Sequence, residues 1–211
     1  MNEKAFTFFE KMAHSDKLTP NSVRLVKSND FSDMDTAFIR KYAKPNSTVL
    51  DLGAGTGLIV NKLFPYVGSI VAVEPFSQFT RYIIKDRKIT IVNSDIDKFS
   101  TNKLFDIVSF FGVMHYVNEI EAKSIYSKYF NYVSEQGKMI VKNQFGLHED
   151  VTVDGFSEEL QENYFSQYRY IDKEIRLLRE VGFNNIEVVD IYPKECNRWD
   201  NTHFYALVAE K

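Results

Sequence analysis

The sequence predicts an α/β fold in which five parallel strands, covered by helices on both faces, end in an antiparallel hairpin. Three observations predict it. Apolar runs alternate with helical periods from residue 46 onward, a glycine-rich turn follows the first run, and no helix separates the last two runs.

The elements follow in order. Residues 1–45 read as an N-terminal helical cap: Phe6, Phe9 and Ala13 can share one helix face, and Ser32 is placed to N-cap a helix with Asp33 and Asp35 in its first turn. Pro45 and Asn46 break the chain and open a main domain, 46–211. Strands are expected at Thr48–Leu52, Ser69–Val73, Ile89–Val92, Phe105–Phe110 and Lys138–Val141, with helices near Thr56–Phe64, Phe76–Lys85 and Glu119–Val133 between them. A polar, aromatic-rich insertion at about 143–170 comes next, then a helix at Asp172–Val181 with Gly182 behind it. Ile186–Ile191 and Phe204–Val208 lack a helical crossover, so they are expected to pair antiparallel.

Composition narrows the function classes. With 211 residues, 44% hydrophobic and 26% charged, the chain has the make-up of a soluble globular protein with one core. A net charge of −3 gives no electrostatic reason to expect nucleic acid. The single cysteine, Cys196, forms no internal disulfide and no metal-binding constellation is visible, so no metal is assigned. The N-terminal residues lack the apolar run of a signal peptide, and no stretch approaches the roughly 20 apolar residues of a membrane span. A cytoplasmic location and no membrane partner are expected.

The segment Asp51-Leu-Gly53-Ala54-Gly55-Thr-Gly57 lies where a strand should end and a helix begin. Glycines there admit positive φ and let the backbone approach a ligand closely. Glu74 ends the next strand, placed to accept hydrogen bonds from ribose hydroxyls. A pyrophosphate-binding turn needs a small residue at its sixth position, but Leu58 stands there and the third glycine comes one residue early. The pattern therefore disfavours a dinucleotide.

Residues 49–57 resemble the first motif of class I S-adenosylmethionine-dependent methyltransferases, and the resemblance extends over roughly 45–142 and the terminal hairpin. It implies a seven-stranded Rossmann-like sheet in the order 3-2-1-4-5-7-6 with the last strand antiparallel. It also implies S-adenosylmethionine as cofactor. The loop of Gly53, Ala54, Gly55 and Gly57 would pack under the methionine part, and Asp51 would hold the loop and the ammonium group. Glu74, with Pro75 beside it, would bind the ribose diol; Asp95, with Ile96 beside it, would contact the adenine. Phe110 opens the segment Phe110–Tyr116, which in this family lines the methionine end and sometimes supplies a catalytic histidine, here His115. Arg24 or Lys27 would pair with the cofactor's carboxylate.

The methyl acceptor should sit beyond the carboxyl ends of the strands. The loop expected after the fifth strand carries Asn143, Gln144, His148, Glu149 and Asp150. His148 is the first candidate for a general base, with Glu149 or Asp150 orienting its ring; His115 is the second. The same His and acids are also a possible divalent-metal set. Tyr168, Arg169, Trp199 and Asn201 suit a pocket for a polyhydroxylated ligand. The expected reaction is O-methylation of a small molecule, a sugar or related metabolite, by a monomer or homodimer. The rival readings are a protein or N-methyltransferase and a cofactor-binding partner subunit without turnover.

Overall fold

The computed structural model describes residues 2–24, 30–158, 162–197 and 199–211, which leaves Lys27 and Arg198 outside the described residues. Nine strands are described: β1 (Thr48–Leu52), β2 (Ser69–Val73), β3 (Ile89–Val92), β4 (Phe105–Phe111), β5 (Val133–Gly146), β6 (Val151–Ser157), β7 (Glu162–Tyr168), β8 (Asn185–Asp190) and β9 (Thr202–Glu210). Seven of them form one sheet in the order β3-β2-β1-β4-β5-β9-β8. The first five are parallel, and β9 runs antiparallel to both β5 and β8. This is the Rossmann-like order expected, with β8 and β9 as the terminal hairpin.

Helices α1 (Glu3–Ala13), α2 (Ser32–Tyr42), α3 (Val60–Leu63), α4 (Ser77–Thr80), α5 (Glu119–Phe130) and α6 (Ile171–Val181) complete the chain. One face of the sheet packs Leu50, Val108, Phe110 and Val141 against Tyr126 and Tyr129 of α5 and Leu178 of α6. The opposite face packs Val49, Ile107 and Ile140 against Phe38 and Ile39 of α2 and Leu63 of α3. The first 45 residues thus do two different jobs. Whereas α2 is part of the sheet's core, α1 lies on β7, with Ala5 and Phe8 against Tyr116 and Tyr164.

Four local expectations are corrected. Ser32 is the first helical residue of α2, and Asp30 accepts its backbone N–H (3.0 Å) and hydroxyl (2.5 Å) instead. The helix expected at 56–64 is delayed to Val60 by the positive φ of Gly57. The helix expected at 76–85 stops after Thr80, because Asn61 takes its next backbone groups. Asn61 Nδ2 donates to the Tyr82 carbonyl (2.9 Å) and its Oδ1 accepts the Ile84 N–H (2.8 Å).

The fourth correction bears on the site. Asn143 and Gln144, expected in a loop, belong to β5, which runs on to Gly146 because β9 pairs with it as far as Gly146 opposite Thr202. Beyond a tight turn, β6 and β7 form a separate two-stranded hairpin where a substrate loop was expected.

Candidate functional site

The site is built at the carboxyl ends of β1, β2, β4 and β5. Leaving β1, the chain turns at Gly53, whose N–H, with that of Ala54, donates to the Val73 carbonyl at the end of β2 (2.9 and 3.0 Å). Gly53 has φ +75°, and a Cβ there would lie 2.4 Å from Cγ2 of Val113. Both the backbone angle and the space require glycine.

The Glu74 carboxylate accepts the N–H of Gly55 (3.0 Å) with one oxygen and that of Phe76 (3.1 Å) with the other. Burial, supported by the nearby Asp51 and Asp95 charges, pushes its pKa up to about 7 despite those two hydrogen bonds. Asp51 is buried at the end of β1 and pushed up to about 6, mainly by desolvation, while the Ser109 hydroxyl donates to it (2.7 Å). It does not cap α3, which begins nine residues later.

These groups open into a cavity of about 770 Å³. Of the residues singled out from sequence, Arg24, Asp51, Gly53, Ala54, Gly55, Glu74, Pro75, Asp95, Ile96, His115, Gln144 and Tyr168 line it. Asp95 also pairs with Lys98 (2.6 Å). Gly57 closes the turn behind the lining by donating to the Ala54 carbonyl (2.9 Å). Phe110 is corrected: it is fully buried in the core, edge-on to Tyr126 and Tyr129, and strand alternation gives the wall to Phe111.

The segment after α1 closes the top of the turn. Thr56 donates to the Pro20 carbonyl (2.5 Å) and Tyr82 to that of Leu18 (2.6 Å).

On the other side of the cavity, His115 lies in a short 3-10 turn (Met114–Tyr116) after β4. Its Nδ1 is 3.2 Å from Oδ1 of Asn143, and its buried Nε2 has no protein partner. Burial, above all, holds the imidazole neutral by lowering its pKa to about 3; Lys142 and Arg169 act in the same direction. Donation from Nδ1 to Asn143 leaves Nε2 as an acceptor.

The structure separates the remaining candidates from the cavity. His148 and Glu149 are exposed on the β5–β6 turn and line no part of it. Gly146 lets that turn fold tightly, since a Cβ there would lie 1.9 Å from the Glu149 carbonyl oxygen. Asp150 is tied to the start of α6, accepting from Tyr170 N–H and Lys173 (both 2.8 Å). Arg169 is buried and committed to Glu174 (2.6 and 3.0 Å) and the Val117 carbonyl (2.5 Å). Trp199 packs on Tyr168 with ring centroids 5.8 Å apart, and the Asn201 backbone carbonyl accepts the Leu147 N–H (3.0 Å); neither residue lines the cavity.

Sequence reasoning missed Asp35, Lys142 and Tyr192, which meet on the cavity wall from α2, β5 and the β8–β9 connection. Asp35 had the appearance of a first-turn helix acid, and no sequence signal joins these three positions. Among the described residues no group of three or more His, Cys, Asp or Glu is close enough to hold a metal ion, and no helix is long and apolar enough to cross a membrane.

Comparison with known proteins agrees with this fold. A model of the methyltransferase domain matches residues 31–188. A search of curated proteins gave no match. Among solved structures, a SAM-dependent methyltransferase from Leishmania major is similar at 16% identity and a TM-score of 0.75, covering 98% of this chain and 82% of its own. The 1,6-didemethyltoxoflavin-N1-methyltransferase of Burkholderia thailandensis, solved with 1,6-didemethyltoxoflavin and S-adenosylhomocysteine, is 13% identical with a TM-score of 0.73 over 97% and 86%. The N-methyltransferase NodS of Bradyrhizobium japonicum, solved with S-adenosylhomocysteine, is 15% identical with a TM-score of 0.68 over 99% of both chains. The fold is shared at low identity, and the domain match spans most of the chain. The chain therefore belongs to the methyltransferase domain family.

Proposed function

We propose that this chain transfers a methyl group from S-adenosylmethionine to a hydroxyl oxygen of a small molecule. The observation that carries the reading is the His115 imidazole, which lines the cavity into which the glycine turn and Glu74 also open and whose buried Nε2 has no protein partner. The cavity volume of about 770 Å³ falls in the range of roughly 300–1,000 Å³ usual for small-ligand sites.

The residues present fit the cofactor. Gly53, Ala54 and Gly55 present the turn's backbone to the cavity, and the Glu74 carboxylate, fixed by two amides, keeps lone pairs for a ribose diol. Asp95 and Ile96 would hold the adenine, with Asp51 and Arg24 at the charged methionine end. The bound sulfonium supplies an activated methyl group. His115 accepts the acceptor hydroxyl's proton at Nε2 as the new C–O bond forms. Its low basicity suffices because an alkylated hydroxyl oxygen is strongly acidic. Asn143 holds the tautomer that leaves Nε2 open.

A sugar acceptor loses support, since Arg169, Trp199 and Asn201 do not line the cavity, whereas Phe6, Phe9, Phe31 and Phe111 do. An acceptor with a flat apolar body suits these walls better. An amine acceptor is the second reading, favoured by the N-methyltransferases among the similar structures. A cytoplasmic site of action belongs to the proposal through the single cysteine.

Calorimetry with S-adenosylmethionine tests the cofactor: no binding by intact protein would end this reading. Transfer of label from the cofactor's methyl group to pools of small hydroxylated and amine compounds then identifies the acceptor class. Replacing His115 by Gln should lower turnover on a hydroxyl acceptor by about 10²–10⁴-fold while cofactor affinity stays unchanged. Full turnover in that variant would remove the base and leave the amine reading.

A further inference from the structure

Lys142 is in an unusual position for a lysine. It stands at the carboxyl end of β5, opposite Phe111 of β4 and Ala206 of β9, and its side chain is only 13% exposed. The ammonium lies over the rings of Phe111 and Tyr192, 5.3 Å from each centroid. Its ion-pair partner is Asp35, at 3.3 Å, whereas Lys62, Lys98, Lys123 and Lys138 hold their acids at 2.6–2.7 Å. The Asp35 carboxylate spends its other oxygen on the Tyr192 hydroxyl (2.5 Å).

A desolvated ammonium has three donors to satisfy, and one loose contact leaves it under-coordinated. Lys142 faces the cavity, so a ligand oxygen is the natural completion. The surrounding walls are aromatic: Tyr192 stacks on Phe31 at 4.2 Å and meets Phe204 edge-on at 5.4 Å. Rings take a flat apolar body, and the ammonium takes an anionic oxygen.

We propose that Lys142 receives the carboxylate of an aromatic methyl acceptor, with Asp35 and Tyr192 holding the ammonium in place. The inference rests on the methyltransferase reading and specifies the acceptor end of the same cavity. No bond is made or broken at Lys142.

The test is ligand-observed NMR on intact protein saturated with S-adenosylhomocysteine. The probes are benzoate and the three hydroxybenzoates, their primary amides, and benzylamine with its ring-hydroxylated forms. Acids should bind preferentially to the wild type. Lys142→Met should weaken them by about tenfold or more, and Lys142→Arg should retain most of the binding. A thermal melt confirms that each variant is folded.

Several results overturn the proposal: amides or amines binding as well as acids, no acid binding at all, or acids binding Lys142→Met unchanged. A tenfold loss of S-adenosylhomocysteine affinity in Lys142→Met also overturns it, because the lysine would then serve the cofactor's own carboxylate. Failure of the wild type to bind S-adenosylhomocysteine, seen before any fragment is added, sinks the methyltransferase reading and this inference with it.

Discussion

The two ends of the cavity are made in different ways. At the proposed cofactor end, backbone groups do most of the work, and the residues come from a short length of chain: 51–57 supply the turn, Glu74 its clamp and Asp95 part of the lining. The proposed acceptor end is made by side chains drawn from α2, the turn after β4, β5 and the β8–β9 connection. A backbone device demands particular residue types at fixed spacing, because only glycine tolerates its angles. A side-chain device needs only that distant positions meet. The two ends touch where Gly53 lies against Val113, two residues before His115.

The largest expected effect comes from a residue that touches neither end. Arg169 and Glu174 form a buried pair, 2% and 0% exposed, and Arg169 also holds the Val117 carbonyl just after the His115 turn. Tyr126 donates to Glu174 from the other side. Arg169→Met leaves the Glu174 carboxylate buried and unpaired, and should cost about 3–5 kcal/mol in denaturant unfolding. Changing both, Arg169→Met with Glu174→Leu, should recover most of that loss. Equal stability of the single and double variants would mean that the ion pair is not the source of the cost.

Gly53→Ala tests the seam between the ends. The positive φ and the 2.4 Å approach to Val113 predict a loss of about 1–3 kcal/mol in stability. The push on Val113 should also displace the His115 turn. Turnover should therefore fall further than cofactor affinity does, a comparison that calorimetry and initial rates can make. An equal fall in both would confine the damage to the cofactor end.

The same contrast explains what the sequence disclosed. The strands, the glycine turn and Glu74 are legible because apolar periodicity and glycine spacing are local signals, whereas the sheet order and Asp95 follow only from the resemblance to class I methyltransferases. His115 is legible as a histidine after the fourth strand, but the sequence places its partner Asn143 in a loop. That error has a physical source: β5 is extended by pairing with β9, about 60 residues further along, and no local pattern reports such a partner. Arg169 has the look of a ligand-binding residue because its five donors suit hydroxyls and anions, yet Glu174, on the next element, takes two of them and the Val117 carbonyl a third.

Glu74 gives the cofactor end a pH signature. Glu74 and Asp51 have folded pKa values raised to about 7 and about 6, from 4.5 and 3.8. Between roughly pH 4 and 7 these two carboxyls therefore bind more protons in the folded protein than in the unfolded chain, whereas His115, lowered to about 3 from 6.5, acts in the opposite sense up to about pH 6.5. The stabilising contribution of Glu74 and Asp51 in the ligand-free protein should be full below about pH 4 and be lost as pH rises through about 6 and 7, most clearly above pH 6.5 where His115 no longer opposes it. Glu74→Gln should flatten the decline and raise the melting temperature at pH 8, while weakening S-adenosylhomocysteine binding. A melting temperature at pH 8 below that of the wild type would show that the carboxylate's two amide contacts outweigh its burial.

The smallest effect is expected at His148, which had the strongest claim to be the base on sequence alone. Its side chain is exposed on the turn after β5, outside the cavity, whereas the buried His115 lines it. A base must come within hydrogen-bonding reach of the proton it takes, and an exposed imidazole in the β5–β6 turn has no such path without rebuilding Gly146 and its contact with the Glu149 carbonyl. His148→Ala should change stability by less than about 0.5 kcal/mol and leave turnover within about twofold. If turnover instead fell by about a hundredfold with cofactor affinity intact, the β5–β6 turn would have to swing inward during the reaction, and the acceptor end would be a mobile assembly around His148 rather than a fixed one around His115.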